Sequence, residues 1–336
     1  MKILAIETSC DDTSMAIFEN DKLLSLDTKS QIKIHNLTSG VVPEIAAREH
    51  ENAIFEVCEN VLKKSNTKIE DIDYIAVTKE PGLIPSLLTG ITFAKTLSNI
   101  LKKPYIEINH IKGHIFSNFL ERNENDITFP LVCLTVSGGH NDIYFMNSMW
   151  EIEKIGSSND DAAGESYDKV AKMMGLEYPG GPIISKLASE YTLPALLPHH
   201  GGGEGKCLFP RVFLKKDEFD FSFSGLKSAV KREVDKRVLE NGFLSDLDKK
   251  EISFEFQEAV NEVLAYKLIN ASIKKNTKTI MLSGGVSAND NLKEKIKKIS
   301  QEKNLNFIHP IKNIYSMDNA AMIGILAYYM IKYNQI

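Results

Sequence analysis

Two rhythms of apolar residues alternate along this chain. Ile3 to Ile6 form a short unbroken apolar run, the polar turn Thr8-Ser9-Cys10-Asp11-Asp12-Thr13 interrupts it, and Ser14 to Phe18 returns as a second strand. A third strand follows the Asn20-Asp21 turn, so this stretch predicts an antiparallel meander. From Glu44 to about Lys64 the period changes: Ile45, Ile54, Val57, Cys58, Val61 and Leu62 fall on one stripe of a helix. A buried strand at Tyr74 to Val77, a Pro81-Gly82 break, an apolar helix from Ser86 to Leu101 and a strand from Tyr105 to Ile108 complete the series. The same order restarts at Pro130. Leu131 to Val136 reads as a strand, Ser137-Gly138-Gly139-His140 as a tight turn and Asp142 to Phe145 as the returning strand. Helices follow, then the strand Thr279 to Leu282, the loop Ser283 to Asn289, a charged amphipathic helix and the strand Asn306 to Ile308. Two β-β-β-α-β-α units in tandem indicate an internal duplication. The expected outcome is an α/β chain of two similar lobes facing a cleft: residues 1–129, joined by a C-terminal helix over 319–336, and residues 130–318. Ligands of such sheets collect where the turns at the strand ends meet.

Composition changes this picture little. A chain of 336 residues exceeds what one core usually serves, and 43% hydrophobic with 25% charged residues is ordinary for a globular protein. Glu7 cuts the first apolar run far short of a signal peptide or a membrane span, so a cytoplasmic protein without a membrane anchor is expected. Cys10, Cys58, Cys133 and Cys207 are widely spaced with no C-x-x-C pair, which argues against a thiolate zinc site and against a disulfide framework. The net charge of −5 argues against coating nucleic acid by charge alone. A local basic stripe is available, however, because Lys227, Lys231, Arg232, Lys236 and Arg237 share one predicted helix.

Chemistry concentrates at the predicted strand ends. The paired turns Ser137-Gly138-Gly139 and Ser283-Gly284-Gly285 lack bulky Cβ groups, so backbone N–H groups there can approach a phosphate. His110 and His114 stand four residues apart, directly after a strand, where both imidazoles can ligate one metal ion. Zinc proteases carry such a pair with a glutamate between the histidines to activate water, but Ile111, Lys112 and Gly113 stand here, which disfavours a protease. Asp11, in the turn after the first strand, is a candidate proton acceptor, with Asp12 as its adjacent competitor.

Taken in order, the segments 6–12 (IETSCDD), 40–50 (GVVPEIAAREH), 110–114 (HIKGH), 136–140 (VSGGH), 160–169 (DDAAGESYDK), 178–182 (YPGGP), 221–227 (FSFSGLK), 284–289 (GGVSAN) and 318–322 (DNAAM) cover nearly the whole chain. Together they resemble the universal tRNA threonylcarbamoyltransferase subunit, the TsaD family, bacterial counterpart of the KEOPS catalytic subunit. The resemblance implies two duplicated RNase H-like lobes of the actin-like ATPase type, as in sugar kinases and heat-shock ATPases, with a central nucleotide cleft. It also implies transfer of threonylcarbamoyl from threonylcarbamoyl-adenylate to the N6 amine of the adenosine that follows the anticodon, in tRNAs reading codons that begin with A, with release of AMP. The implied partners are tRNA, the inactive paralogue TsaB and the small ATPase TsaE. The implied metal ligands are His110, His114 and Asp318, holding one Fe(II) per subunit. Two imidazoles and a carboxylate suit zinc nearly as well. Thr135, Val136, Ser137, Gly138 and Gly139 would hold the adenylate, with Asp168, Gly181 and Asn289 around its ribose and base; magnesium would enter only with ATP.

The chain departs from the family pattern in places. The glycine-rich stretch over 192–208 is longer than expected and contains His199 and His200, Met317 precedes Asp318 where a small polar residue is usual, and Asn141 replaces a common threonine. Two competing readings remain, an actin-fold small-molecule kinase or ATPase and a non-enzymatic scaffold like the inactive paralogue. The histidine pair separates the first of these, because kinases of that fold hold magnesium through phosphates and carboxylates.

Overall fold

The computed structural model describes residues 1–36, 40–192, 207–213 and 218–336. Among these the chain divides into two compact units, Met1–Ile127 with His309–Ile336, and Thr128–Ile308. The sequence reading kept 309–318 with the second lobe. The structure places that segment in the first unit, because the chain leaves the second sheet at Ile308 and the turn Asn313–Ser316 packs with the 117–119 region of the first.

In the first unit, strands β1 (Lys2–Glu7), β2 (Asp12–Glu19) and β3 (Lys22–Ser30) form the antiparallel meander, and β4 (Tyr74–Glu80) and β5 (Tyr105–Asn109) add in parallel beyond β1. The order is β3-β2-β1-β4-β5. β1 is central and buried on both faces, which is why it reads as a continuous apolar run rather than an alternating one. Helices α1 (Ile32–Asn36), α2 (Pro43–Ser65), α3 (Ile84–Leu101), α4 (His110–Phe116) and the C-terminal helix surround the sheet. One core joins Leu4, Ile6, Met15 and Ile17 of the sheet to Ile54, Val57 and Val61 of α2.

The second unit repeats the plan. β6 (Leu131–Val136), β7 (Asn141–Met146) and β8 (Ile152–Gly156) form a meander, and β9 (Thr279–Ser283) and β10 (Asn306–Ile308) add in parallel, giving β8-β7-β6-β9-β10. Between β8 and β9 lie α5 (Ala163–Met173), α6 (Gly180–Ser189), α7 (Ser224–Asn241) and α8 (Asp246–Lys274); α9 (Asp290–Glu302) precedes β10. A capping box of Ser245 and Asp248 starts the long helix α8, whose Phe256, Val260, Val263 and Leu264 anchor this unit's core. Burying each such side chain contributes roughly 1.5–3 kcal/mol. After β10 the chain returns to the first unit as α10 (Ala320–Lys332). Gly324 sits where a Cβ would lie 2.4 Å from the Phe18 ring, so this helix rests directly on β2. Among the described residues no helix is long and apolar enough to cross a membrane.

Candidate metal centre and glycine turns

The turn after β1 is pinned at nearly every residue. The Thr8 hydroxyl donates to the Ser86 carbonyl at 3.0 Å, the Ser9 carbonyl accepts from Leu83 N–H at 2.8 Å, and the Asp11 carbonyl accepts from Gln31 N–H at 3.0 Å. His50, fully buried on α2, spans the rest: its Nε2 lies 3.0 Å from the Cys10 carbonyl and its Nδ1 2.8 Å from Thr13 Oγ1. A carbonyl only accepts, so Nε2 carries the proton and Nδ1 takes the threonine hydroxyl. Burial holds the His50 pKa below its ordinary value, consistent with that neutral tautomer.

Against this turn stand His110 and His114. Asn109 caps α4 by accepting from Lys112 N–H at 3.0 Å, and the one-turn spacing stacks the two imidazoles edge to face with centroids 4.7 Å apart. Asp318 arrives from the segment before α10, where Asn319 fixes the chain by donating to the Ile314 and Met317 carbonyls and accepting from Ala321 N–H. One ligand atom from each of His110, His114 and Asp318 lies within 4.8 Å of the others. Asp318 Oδ1 is 3.0 Å from His114 Nε2 and 3.6 Å from His110 Nε2. Neither nitrogen of the fully buried His114 has a hydrogen-bond partner, so the 3.0 Å approach lacks hydrogen-bond alignment. Donor atoms that crowd one point without bonding each other are the arrangement a shared cation requires.

Sequence reasoning missed Glu7, which it saw only as the charge ending an apolar run. The carboxylate is buried at the end of β1, takes Ser9 N–H at 2.5 Å and the Thr78 hydroxyl at 2.5 Å, and lies 3.1 Å from His110 Nδ1. Ser9 Oγ is also 3.1 Å from that nitrogen. Burial alone would lower the His110 pKa, but the charges of Glu7 and Asp318 outweigh it and push the value up to about 9. Burial likewise opposes ionisation of Glu7, and the His110 imidazolium reverses that, leaving its pKa below the usual range. The signal available in the sequence was an acidic residue inside a strand otherwise buried on both faces, which needs a partner.

Asp11 and Asp12 lie in the same unit as the triad. Burial raises both, with Asp318 adding to each, and Asp12 reaches about 7; one of its carboxylate oxygens is buried without a hydrogen bond. A carboxyl whose pKa lies near neutrality is suited to act as a base at neutral pH.

In the second unit Thr135 and Val136 are buried at the end of β6, and Thr135 Oγ1 lies 2.8 Å from Ser283 Oγ across the parallel pair β6–β9. Ser137 N–H donates to the His140 carbonyl, closing the turn. A Cβ at Gly138 or Gly139 would meet nothing within 4 Å, so both present open backbone. Gly284 is different: φ is +84°, and a Cβ there would lie 2.4 Å from the Val136 carbonyl oxygen, so this glycine is needed for packing. Gly181 is open, whereas Asp168 accepts from Gly180 N–H at 2.7 Å and ties α5 to the start of α6. Asn289 caps α9 through Leu292 N–H, accepts from Asn261, and donates to Ser185 and Gln257. Its amide is therefore saturated inside the protein.

The predicted basic stripe on α7 is largely neutralised. Lys227 pairs with Asp161, the exposed Lys231 with Asp235, and Arg237 with Glu233, Asp248 and Glu251, so that among the described residues Arg232 and Lys236 are its exposed cations without an ion pair. His199 and His200 lie outside the described residues.

Comparison with known proteins adds a family to this geometry. The profile described as TsaD, tRNA N6-adenosine threonylcarbamoyltransferase, matches residues 22–325. A protein of that name from Persephonella marina is 43% identical over 98% of this chain and 90% of its own length. One from Thermosipho africanus is 44% identical over 99% and 95%. Among solved structures, a nucleotide-bound HypF superposes with a TM-score of 0.61 at 14% identity, covering 98% of this chain and 46% of HypF. The activator of 2-hydroxyisocaproyl-CoA dehydratase from Clostridium difficile, with bound ADPNP, gives 0.55 at 14%, covering 100% and 97%. At such identities these two report the fold, duplicated lobes of the actin-like ATPase class.

Proposed function

The chain belongs to the tRNA N6-adenosine threonylcarbamoyltransferase (TsaD) family, and from that premise we propose that it moves threonylcarbamoyl from threonylcarbamoyl-adenylate to the N6 amine of the adenosine following the anticodon, in tRNAs reading codons that begin with A. The observation that carries the reading is the convergence of the buried His110 and His114 with the half-buried Asp318. A kinase or ATPase of this fold has no use for paired imidazoles, and a scaffold has no use for a buried His114 whose nitrogens make no hydrogen bond among the described residues.

These three residues would hold a metal, Fe(II) or zinc, through His110 Nε2, His114 Nε2 and an Asp318 oxygen. When bound, that ion supplies Lewis acidity to the carbamoyl carbonyl. The open backbone at Gly138 and Gly139 cradles the adenylate phosphate, with Thr135, Val136 and Ser137 flanking it, while Asp168, Gly181 and Asn289 shape the wall around its ribose and base. The adenosine nitrogen forms a bond to the carbamoyl carbon, the bond from that carbon to the phosphate oxygen breaks, and AMP leaves with the electron pair. The amine proton goes to the Asp11–Asp12 pair, principally to Asp12, whose raised pKa matches the task. An inactive paralogue of the TsaB type and a small ATPase of the TsaE type assist turnover.

The test is incubation of the protein and these partners with threonylcarbamoyl-adenylate and unmodified tRNA, followed by mass spectrometry of the nucleosides. Appearance of threonylcarbamoyladenosine with stoichiometric AMP is expected. ATP hydrolysis with no modified nucleoside would favour the kinase or ATPase reading instead.

A further inference from the structure

We infer that Glu7 is the positioning residue that decides which nitrogen of His110 faces the metal, an inference that rests on the metal reading above. An ionised carboxylate can only accept hydrogen bonds, so Glu7 Oε2, 3.1 Å from His110 Nδ1, holds a proton on that nitrogen and makes Nε2, on Asp318's side of the ring, the nitrogen that yields its proton to a metal. Ser9 Oγ also lies 3.1 Å from Nδ1, but a hydroxyl donates or accepts equally well and cannot make the choice. The carboxylate is itself held on both oxygens, Oε1 by Ser9 N–H and Oε2 by the Thr78 hydroxyl, so it cannot rotate away.

This arrangement makes the isosteric change Glu7→Gln informative. Ser9 N–H can only donate, so the amide oxygen of the variant must stay on the Ser9 side and its NH2 must occupy the Oε2 position. There it donates to His110 Nδ1, which then has to be the acceptor. The imidazole proton moves to Nε2 and blocks the lone pair that a metal needs. The usual arrangement of a metal-bound histidine, with its second nitrogen donating to a carboxylate, is lost although shape and volume are kept.

The experiment uses the full chain with Zn²⁺ as probe, its affinity measured by competition with a chromophoric chelator. E7Q is expected to bind zinc about 10- to 100-fold more weakly than wild type. Glu7→Asp, which keeps the charge but shortens the arm by one methylene, is expected to weaken binding as well, and it carries the test should E7Q not fold. Proton–nitrogen correlation spectra of the zinc-loaded wild type are expected to show His110 protonated at Nδ1, a pattern that mere loosening of the structure would not move. Zinc affinities of both variants within about threefold of wild type, far short of that loss, would overturn the role of Glu7 alone. A wild-type protein that binds no zinc or Fe²⁺ at all would overturn the metal reading beneath it.

Discussion

The turn after β1 and the turn after β6 occupy the same place in two copies of one fold, and their chemistry is opposite. The first carries carboxylates, is clamped by His50, Gln31, Leu83 and Ser86, and packs beside two buried imidazoles. The second carries glycines, and its two central positions face open space. A duplicated scaffold has thus been used once to immobilise charge and once to clear a path to the backbone. Charge must be fixed because a buried carboxylate or imidazole that drifts loses its partners at a cost of several kcal/mol. A phosphate cradle needs only bare N–H groups and room.

If the first turn serves a metal and the second a nucleotide, each should fail in its own way. The largest effect is expected from Asp318→Ala or His114→Ala. Either should abolish stoichiometric metal in elemental analysis and cost at least about 10³-fold in single-turnover transfer, the several kcal/mol that a Lewis acid supplies. Metal retained in the Asp318→Ala protein would remove that residue from the ligand set. Next, Asp12→Asn should slow transfer by about 10²- to 10⁴-fold while the adenylate still binds. A carboxylate base works only when ionised, so with the Asp12 pKa raised by burial to about 7 the wild-type rate should climb as pH rises through that value. The variant should lose this limb. An equal loss in Asp11→Asn with the limb intact in Asp12→Asn would reassign the base to Asp11.

Smaller effects divide the glycines. Gly138→Val should weaken adenylate binding by about tenfold in calorimetry with thermal stability unchanged, because its branch enters open space that the ligand needs. Gly284→Ala should do the reverse, destabilising the fold by about 1–3 kcal/mol through its positive φ and its clash with the Val136 carbonyl. Interchanged outcomes would mean that the open and packed glycines have been wrongly assigned. The smallest effect belongs to α7: replacing Arg232 and Lys236 by Gln should reduce the salt slope of tRNA binding by about one unit per cation that contacts phosphate.

Legibility in the sequence followed the range of the forces involved. Local periodicity sufficed for both meanders, for α2 and for the one-turn spacing of His110 and His114, since each depends on neighbours within a few residues. What escaped depends on distant partners. Glu7 meets His110 across 103 positions, a contact no pattern within β1 encodes. Arg237 looked free on its helix until Asp248 and Glu251 came round on α8, and nothing local to Asn289 announced that its amide also caps α9 and bonds Gln257 and Ser185. The segment 309–318 was misplaced for the same reason. A short strand followed by polar residues carries no local mark that the chain is about to return to the first sheet.

Transfer should depend on a metal held by His110, His114 and Asp318 in the first unit. The most direct test of that dependence is single-turnover transfer from threonylcarbamoyl-adenylate to tRNA by wild-type protein prepared anaerobically, stripped by a chelator, and then given one equivalent of Fe²⁺ or Zn²⁺. Stripping is expected to remove the threonylcarbamoyl product, and one equivalent of the right ion to restore it in wild type but not in His114→Ala. Full transfer by the stripped protein, at the same rate as before, would contradict that dependence.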